Sequence, residues 1–200
     1  MDLKHIQAAF EKKGYAFRYF ADAAEAAAYL DSEIDGRTVG FGDSQTLKSM
    51  GLYERLCVHN TVYSPMHPVG EQTFYTEAEK TIHTDVFLVS VNGAAETGEL
   101  VNIDGFGNRV AAMAFGPEKV YVLVGQNKLC AGLEEAMERI KNVACPQNAR
   151  RLGLNTPCAH TGKCADCQSP QRFCNATLIL DRCPGSHPVE ILLVQENLGY

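Results

Sequence analysis

Apolar residues at the start of the chain recur at Leu3, Ile6, Ala9 and Phe10, the spacing of a helix that buries one face. Gly14 follows where a helix cap is expected. Tyr15 to Phe20 is short and aromatic-rich, which predicts a strand. Asp22 then caps an Ala-rich helix running to about Ser32. Arg37 to Leu47 reads as a short buried strand, a glycine turn and a helix start, and residues 51–57 as another short helix. Between 58 and 84 the pattern is weak, with a loop at 64–70 and helical character from Glu71 to Lys80. Asp85 to Val91 is a continuous apolar run, which suits a parallel strand covered on both faces. Glu99–Ile103 and Arg109–Ala112 predict two strands, joined as a hairpin through Asp104-Gly105-Phe106-Gly107-Asn108. Lys119–Val124 is a further strand. Leu129, Leu133, Ala136, Met137 and Ile140 mark a helix over about 131–142, and a helical turn resumes after Pro146. Ala176–Leu180 and Val189–Val194 are the last strands. The alternation predicts an α/β protein: a mostly parallel sheet flanked by helices, with a small antiparallel extension.

Composition narrows the class. Two hundred residues suit one domain over 1–200, with a cysteine-rich loop at 156–175. A chain 46% hydrophobic and 21% charged is not a disordered one. A net charge of -6 argues against a nucleic-acid surface, which needs a basic face. No apolar run reaches the length of a membrane span. Met1-Asp2-Leu3-Lys4-His5 lacks the charged-then-apolar plan of a secretory signal. The expectation is a cytoplasmic protein with neither a nucleic-acid nor a membrane partner.

Candidate chemistry gathers in four places. In Gly40-Phe41-Gly42-Asp43-Ser44 the glycines permit close backbone approach, and Ser44 and Thr46 add hydroxyls before a helix start that suits an anion. The same residues also serve simply to make a turn and cap a helix. Asn102, Asp104, Asn108 and Arg109 cluster at the expected hairpin tip, where Asp and Asn are also ordinary turn residues. A carboxylate, two amides and a guanidinium suit a polar or phosphorylated ligand. Asp104 is the candidate for acid/base work, and Arg109 for holding a carboxylate or phosphate. Lys128 follows a strand at the sheet edge where α/β proteins gather functional groups, and is an anion contact or a solvated turn lysine. His59, His67 and His83 are scattered and receive no role.

The fourth place is the run from Thr156 to Cys174, which holds Cys158, Cys164, Cys167 and Cys174 in the spacing C-x5-C-x2-C-x6-C. Four thiolates there suit an iron–sulfur cluster, with zinc as the alternative. Buried reduced thiols, disulfides and a redox CxxC pair are competing readings. His160, Asp166 and Arg172 are then supporting polar groups or plain loop residues. Cys57, Cys130, Cys145 and Cys183 have no assigned part.

Together the motifs resemble a known family. Gly40-Phe41-Gly42-Asp43-Ser44, Glu99 through Ala111 and Val124-Gly125-Gln126-Asn127-Lys128 are similar to the lactate-utilisation (LUD) domain family. Asn148 through Leu152, Thr156-Pro157-Cys158, Thr161 through Cys167 and Arg172-Phe173-Cys174-Asn175 look like its short, cysteine-bearing branch. The resemblance implies a fold like that of ribose-5-phosphate isomerase and the CoA-transferases, with a cleft for phosphorylated or acyl ligands. It also implies a link to the use of lactate or related organic acids, as an accessory redox subunit beside other lactate-utilisation subunits. The chain departs in lacking a ferredoxin-type cysteine run, and Asn102-Ile103-Asp104-Gly105 stands where the isomerases carry a lysine. Two alternatives remain: an enzyme acting on a sugar phosphate or acyl-CoA, and a non-enzymatic protein that binds a small anion.

Overall fold

Helix α1 (Leu3–Lys12) opens the chain and packs its Ile6 and Phe10 inward, as the apolar period requires. Strand β1 (Ala16–Phe20) and helix α2 (Ala23–Glu33) follow, and the Asp22 carboxylate accepts the Glu25 N–H at the cap. Strand β2 (Thr38–Phe41) leads through the glycine turn into α3 (Gln45–Ser49) and α4 (Leu52–Leu56). Next come β3 (Thr61–Tyr63), α5 (Phe74–Thr81), β4 (Val86–Ser90), β5 (Gly93–Ala95), β6 (Leu100–Asp104) and α6 (Asn108–Ala114). The rest is β7 (Lys119–Gly125), β8 (Leu129–Cys130), α7 (Leu133–Arg139), α8 (Cys145–Arg151), α9 (Pro157–Thr161), β9 (Ala176–Leu180) and β10 (Val189–Val194). The computed structural model describes all 200 residues.

Six strands form one parallel sheet in the order β1-β10-β7-β4-β2-β3. Alternation along the central strands divides the core. Phe87, Val89, Val120, Val122, Ile191 and Leu193 face α1 and α6 on one side, while Leu88, Tyr121, Leu123 and Leu192 face α2, α3 and α4 on the other. Both faces are covered, so these strands read as unbroken apolar runs. A second, four-stranded sheet runs β8-β5-β6-β9, with β6 antiparallel to both neighbours and β5 parallel to β8.

Two expectations are corrected. The hairpin over 99–112 does not form: Asn108–Ala114 is a helix, and β6 pairs with β5 and β9. Gly107 takes a left-handed φ of 90° before the first helical turn, and the Asp104 carboxylate accepts the Arg109 N–H at 3.0 Å. That bond satisfies a helix-start donor that has no intrahelical partner. The cysteine segment is not entirely loop either, since Pro157–Thr161 is a short helix. Between α7 and α8, Ile140–Ala144 is a π-helical turn. Pro146, at the start of α8, cannot donate to the preceding turn, which accounts for the wider turn there.

Candidate functional site

In the large sheet the strand order reverses between β2 and β4: β3 lies outside β2, and β7 and β10 lie outside β4. Ligands of open α/β sheets bind beyond the carboxyl ends of the strands at such a point. A crevice of about 190 Å³ opens there. It is lined by Gly42, Asp43 and Ser44 after β2, by Ser90 and Asn92 at the end of β4, and by Lys128 after β7. Asp104, Asn108 and Arg109 close one side, so the distant polar segments do meet. Gly42 is required for this closure. A Cβ on it would lie 2.8 Å from Val89 Cγ2, and its N–H donates to the Leu88 carbonyl at 2.8 Å. Ser44 caps α3 by accepting the Leu47 N–H at 3.1 Å. The helix has only five residues, so its dipole adds little.

Two expected residues lie off the crevice. Gly40 sits within β2 against α5, where an added Cβ would lie 2.9 Å from Thr81 Cβ; it is a packing position. Asn102 is fully buried behind the wall, donating to the Ser90 carbonyl at 3.2 Å, and its Oδ1 has no partner.

Lys128 is the centre of the site. It is 3% exposed, and its ammonium donates to Thr46 Oγ1 at 2.8 Å and Ser90 Oγ at 2.7 Å. Those hydroxyls give their own protons to the Leu198 and Leu123 carbonyls, so their lone pairs face the lysine. Nζ has three donors, and one is left over. No carboxylate lies within ion-pair distance of it. Burial, and then the charges of Arg139 and Arg109, lower its pKa to about 7. Arg139 is also without a carboxylate: it donates to the Asn127 carbonyl at 2.9 Å and the Asn92 carbonyl at 2.6 Å, tying the β4 and β7 loops together.

Asp104 and Arg109 form an ion pair. Asp104 Oδ1 accepts Arg109 Nη2 at 3.0 Å, Arg109 Nε at 3.2 Å and the Gly105 N–H at 2.9 Å, while Oδ2 accepts the Arg109 N–H. The guanidinium also reaches the Ile103 carbonyl at 3.0 Å. With four donors already on it, this carboxylate fixes Arg109 and the start of α6; little lone-pair capacity remains for acid/base work.

Asp43 carries no role on sequence grounds. Its φ of 41° is left-handed, one of two such non-glycine residues in the chain, and it lines the crevice. Burial pushes its carboxyl pKa up, against the lowering pull of its hydrogen bonds. Oδ1 accepts from Ser64 Oγ at 2.7 Å and Oδ2 from the Met66 N–H at 3.0 Å. Buried Ser64 lies 3.0 Å from Nδ1 of exposed His67, which stacks on Tyr53 with centroids 4.1 Å apart. His67, given no role from sequence, thus ends a chain from solvent to the crevice. The signal available was Asp43 inside Gly-Phe-Gly-Asp-Ser, since Asp tolerates the left-handed region.

The cysteine segment lies alongside. Cys145 lines the crevice, and Cys174 packs with it in the same apolar cluster. Burial first, then the neighbouring sulfurs of Cys174, Cys158 and Cys164, push the Cys145 thiol up to about 12. The Asp166 N–H donates to Cys164 Sγ at 3.4 Å. Arg172 braces the loop by donating to the Cys167 carbonyl at 2.8 Å, the Cys174 carbonyl at 3.3 Å and Asp166 at 3.0 Å. The donors fit a thiophilic metal or an iron–sulfur cluster in kind. In position they do not converge: no three His, Cys, Asp or Glu side chains are placed to hold a metal ion.

Comparison with known proteins agrees with the fold. A family model described as the LUD domain matches residues 3–194. Among solved structures the chain is similar to a DUF162 family protein from Deinococcus radiodurans, whose crystal structure is at 1.70 Å resolution. The two share 15% identity and a TM-score of 0.55, over 96% of this chain and 95% of that one. At that identity the likeness speaks for the fold alone. No curated protein matches the sequence.

Proposed function

This chain belongs to the LUD domain family, and from that premise we propose that it binds a small anion in the crevice, in the service of lactate or related organic-acid utilisation. The observation that carries the reading is the Lys128 ammonium: buried, held only by two neutral hydroxyls, and opening on a crevice beside Arg109. A buried charge without a counter-ion is strongly unfavourable. A carboxylate or phosphate at the spare donor of Nζ removes that penalty, and Arg109 is held ready as a second contact. Thermal unfolding with lactate, pyruvate, phosphate and sulfate tests it. At least one anion should raise the midpoint in a concentration-dependent way, and Lys128→Met should abolish the effect. Equal stabilisation of both proteins would end the reading.

A second reading, an enzyme that moves a proton on the same anion, is favoured by Asp43. Its strained backbone, its raised pKa and the Ser64–His67 path are traits of acid/base groups. Here Asp43 takes or gives the proton at its carboxylate, and Ser64 and His67 return it to solvent. Asp43→Asn then leaves anion binding in place and removes turnover.

An accessory redox role rests on the thiols. Cys158, Cys164, Cys167 and Cys174 are the residues that would hold an iron–sulfur cluster or zinc, with Cys145 packed beside Cys174. A cluster would supply one-electron transfer next to the crevice. No step of the anion chemistry above passes through it.

A further inference from the structure

Phe74 and Phe106 stand at the mouth of the crevice with Tyr75 against them, and the protein core uses none of the three rings. Phe106 is 69% exposed and Tyr75 67% exposed, and Phe74 is only partly buried. Their ring centroids lie 5.0 Å (Phe74–Phe106), 5.8 Å (Tyr75–Phe106) and 5.5 Å (Phe74–Tyr75) apart. Two separate chain segments therefore build one aromatic cluster, with Tyr75 edge-on to Phe74 and to Phe106 and Phe74 tilted 53° from Phe106. Phe74 and Phe106 line the same crevice as Lys128 and Arg109, together with exposed Met66. Phe106 is displayed deliberately by the backbone: it stands between Gly105 and Gly107, in the turn that Asp104 and Arg109 pin at its base. Exposed rings clustered in this way mark a binding surface more often than solitary apolar residues do.

The size of the crevice says what kind of ligand needs such a cluster. Its 190 Å³ falls short of the roughly 300–1,000 Å³ that encloses a drug-sized molecule. The enclosed part admits a small charged group, and anything larger must lie across the mouth, where the rings are. We infer that the ligand is an anion that also carries a planar aromatic or heteroaromatic ring, its charge set between Lys128 and Arg109 and its ring packed against Phe106 and Phe74 at the crevice mouth, with Tyr75 bracing Phe106 edge-on. The inference rests on the anion reading above and adds the second half of the ligand. Nucleotide-like phosphates and aryl-substituted hydroxy acids are the matching chemical classes. The rings supply a sequence-tolerant stacking surface, and the lysine and arginine fix the end of the molecule that enters.

Paired probes that differ only by the ring test this. Isothermal titration of the full-length protein compares adenosine monophosphate with ribose 5-phosphate, and phenyllactate with lactate. In at least one pair the ring-bearing member should bind about 5- to 150-fold more tightly, the range that stacking on an aromatic side chain provides. Phe106→Ala, an exposed position whose loss leaves the core intact, should erase that ratio. Equal affinities within both pairs, or a ratio that survives in Phe106→Ala, overturn the inference. If ring-free anions bind in a Lys128-dependent way while the ring adds nothing, only this inference fails. If no anion binds at all, it falls together with the anion reading.

Discussion

Replacing Lys128 with Met should make the protein more stable and useless to an anion. The lysine is 3% exposed, and its pKa is lowered from the ordinary 10.5 to about 7. That displacement corresponds to roughly 4–5 kcal/mol held against the protonated form in the folded state. At pH 7 about 4 kcal/mol of it is felt. Methionine fills similar space and removes the charge. It also removes two hydrogen bonds, to Thr46 and Ser90, each contributing about 0.5–1.5 kcal/mol. Neither hydroxyl is orphaned, because each still donates to a carbonyl. The net expectation is a gain of about 1–3 kcal/mol, or roughly 2–12 °C in midpoint for a chain of this size. The pH dependence separates this from ordinary repacking. The folded-state pKa lies below the unfolded one, so between about pH 7 and 10.4 the unfolded chain binds more protons and wild-type stability rises with pH. The advantage of Lys128→Met is therefore greatest at and below pH 7 and shrinks towards pH 10. Urea unfolding at pH 6.5, 7.5, 8.5 and 9.5, in buffer free of sulfate and phosphate, measures the gap. A variant less stable than wild type at pH 7, or a gap that ignores pH, would refute the reasoning and make Lys128 a structural residue.

Other consequences follow from named contacts. Asp104→Asn weakens the pair that holds Arg109; anion affinity should drop about tenfold and stability by about 1–3 kcal/mol, read by titration and urea unfolding. Arg109→Ala should lose affinity comparably, and an unchanged affinity in both would remove Arg109 from the site. At the opposite end of the sheet, buried Glu190 accepts from Arg18 at 2.8 Å, Tyr29 at 2.9 Å and Lys119 at 2.8 Å. Burial by itself would raise its pKa, but bonds from Lys119, Tyr29 and Arg18 outweigh it and hold the pKa below the usual value. Its stabilisation is present above the ordinary glutamate pKa and is lost as pH falls through the depressed one. Glu190→Gln should flatten that acid limb, and an unchanged acid midpoint would discount the cluster. For the thiols, anaerobically purified protein should contain iron with sulfide, or zinc, and Cys158→Ser with Cys174→Ser should lower it; metal-free wild type would leave the cysteines as reduced thiols.

Much of the frame was legible because its physics is local. The spacing of Leu3, Ile6 and Phe10 and the Asp22 cap each specify an element without help from the fold. The apolar runs of β4, β7 and β10 announce strands buried on both faces, and so a parallel sheet. Short β3, β5 and β8 carry two or three residues each, too few to show a period. The turn from Asp104 to Asn108 has the chemistry of a hairpin, yet the same Asp, Gly and Asn also start helices; Ala111, Ala112 and Ala114 favour the helix that forms. Gly40 and Gly42 look alike in sequence. Only packing separates a glycine under α5 from one at the crevice floor. The polar groups of the site were mostly identified, but not their states. Burial of Lys128 without a counter-ion depends on β7, α3 and β4 meeting, and the relay from Asp43 joins three residues across a segment that shows no pattern. Cys145 stands far from the C-x2-C run in sequence, yet α8 packs on α9 and Cys145 shares an apolar cluster with Cys174.

The most direct test of the Lys128 receptor is the proton count on binding. A bound anion stabilises the ammonium, so a lysine that is largely neutral at pH 8 must take up a proton as the anion enters. Titration calorimetry with lactate or sulfate at pH 8, in two buffers of different ionisation enthalpy, reads that number. Uptake approaching one proton per site is expected in the wild type. Binding with no proton uptake at pH 8, or with the same uptake in Lys128→Met, would contradict it.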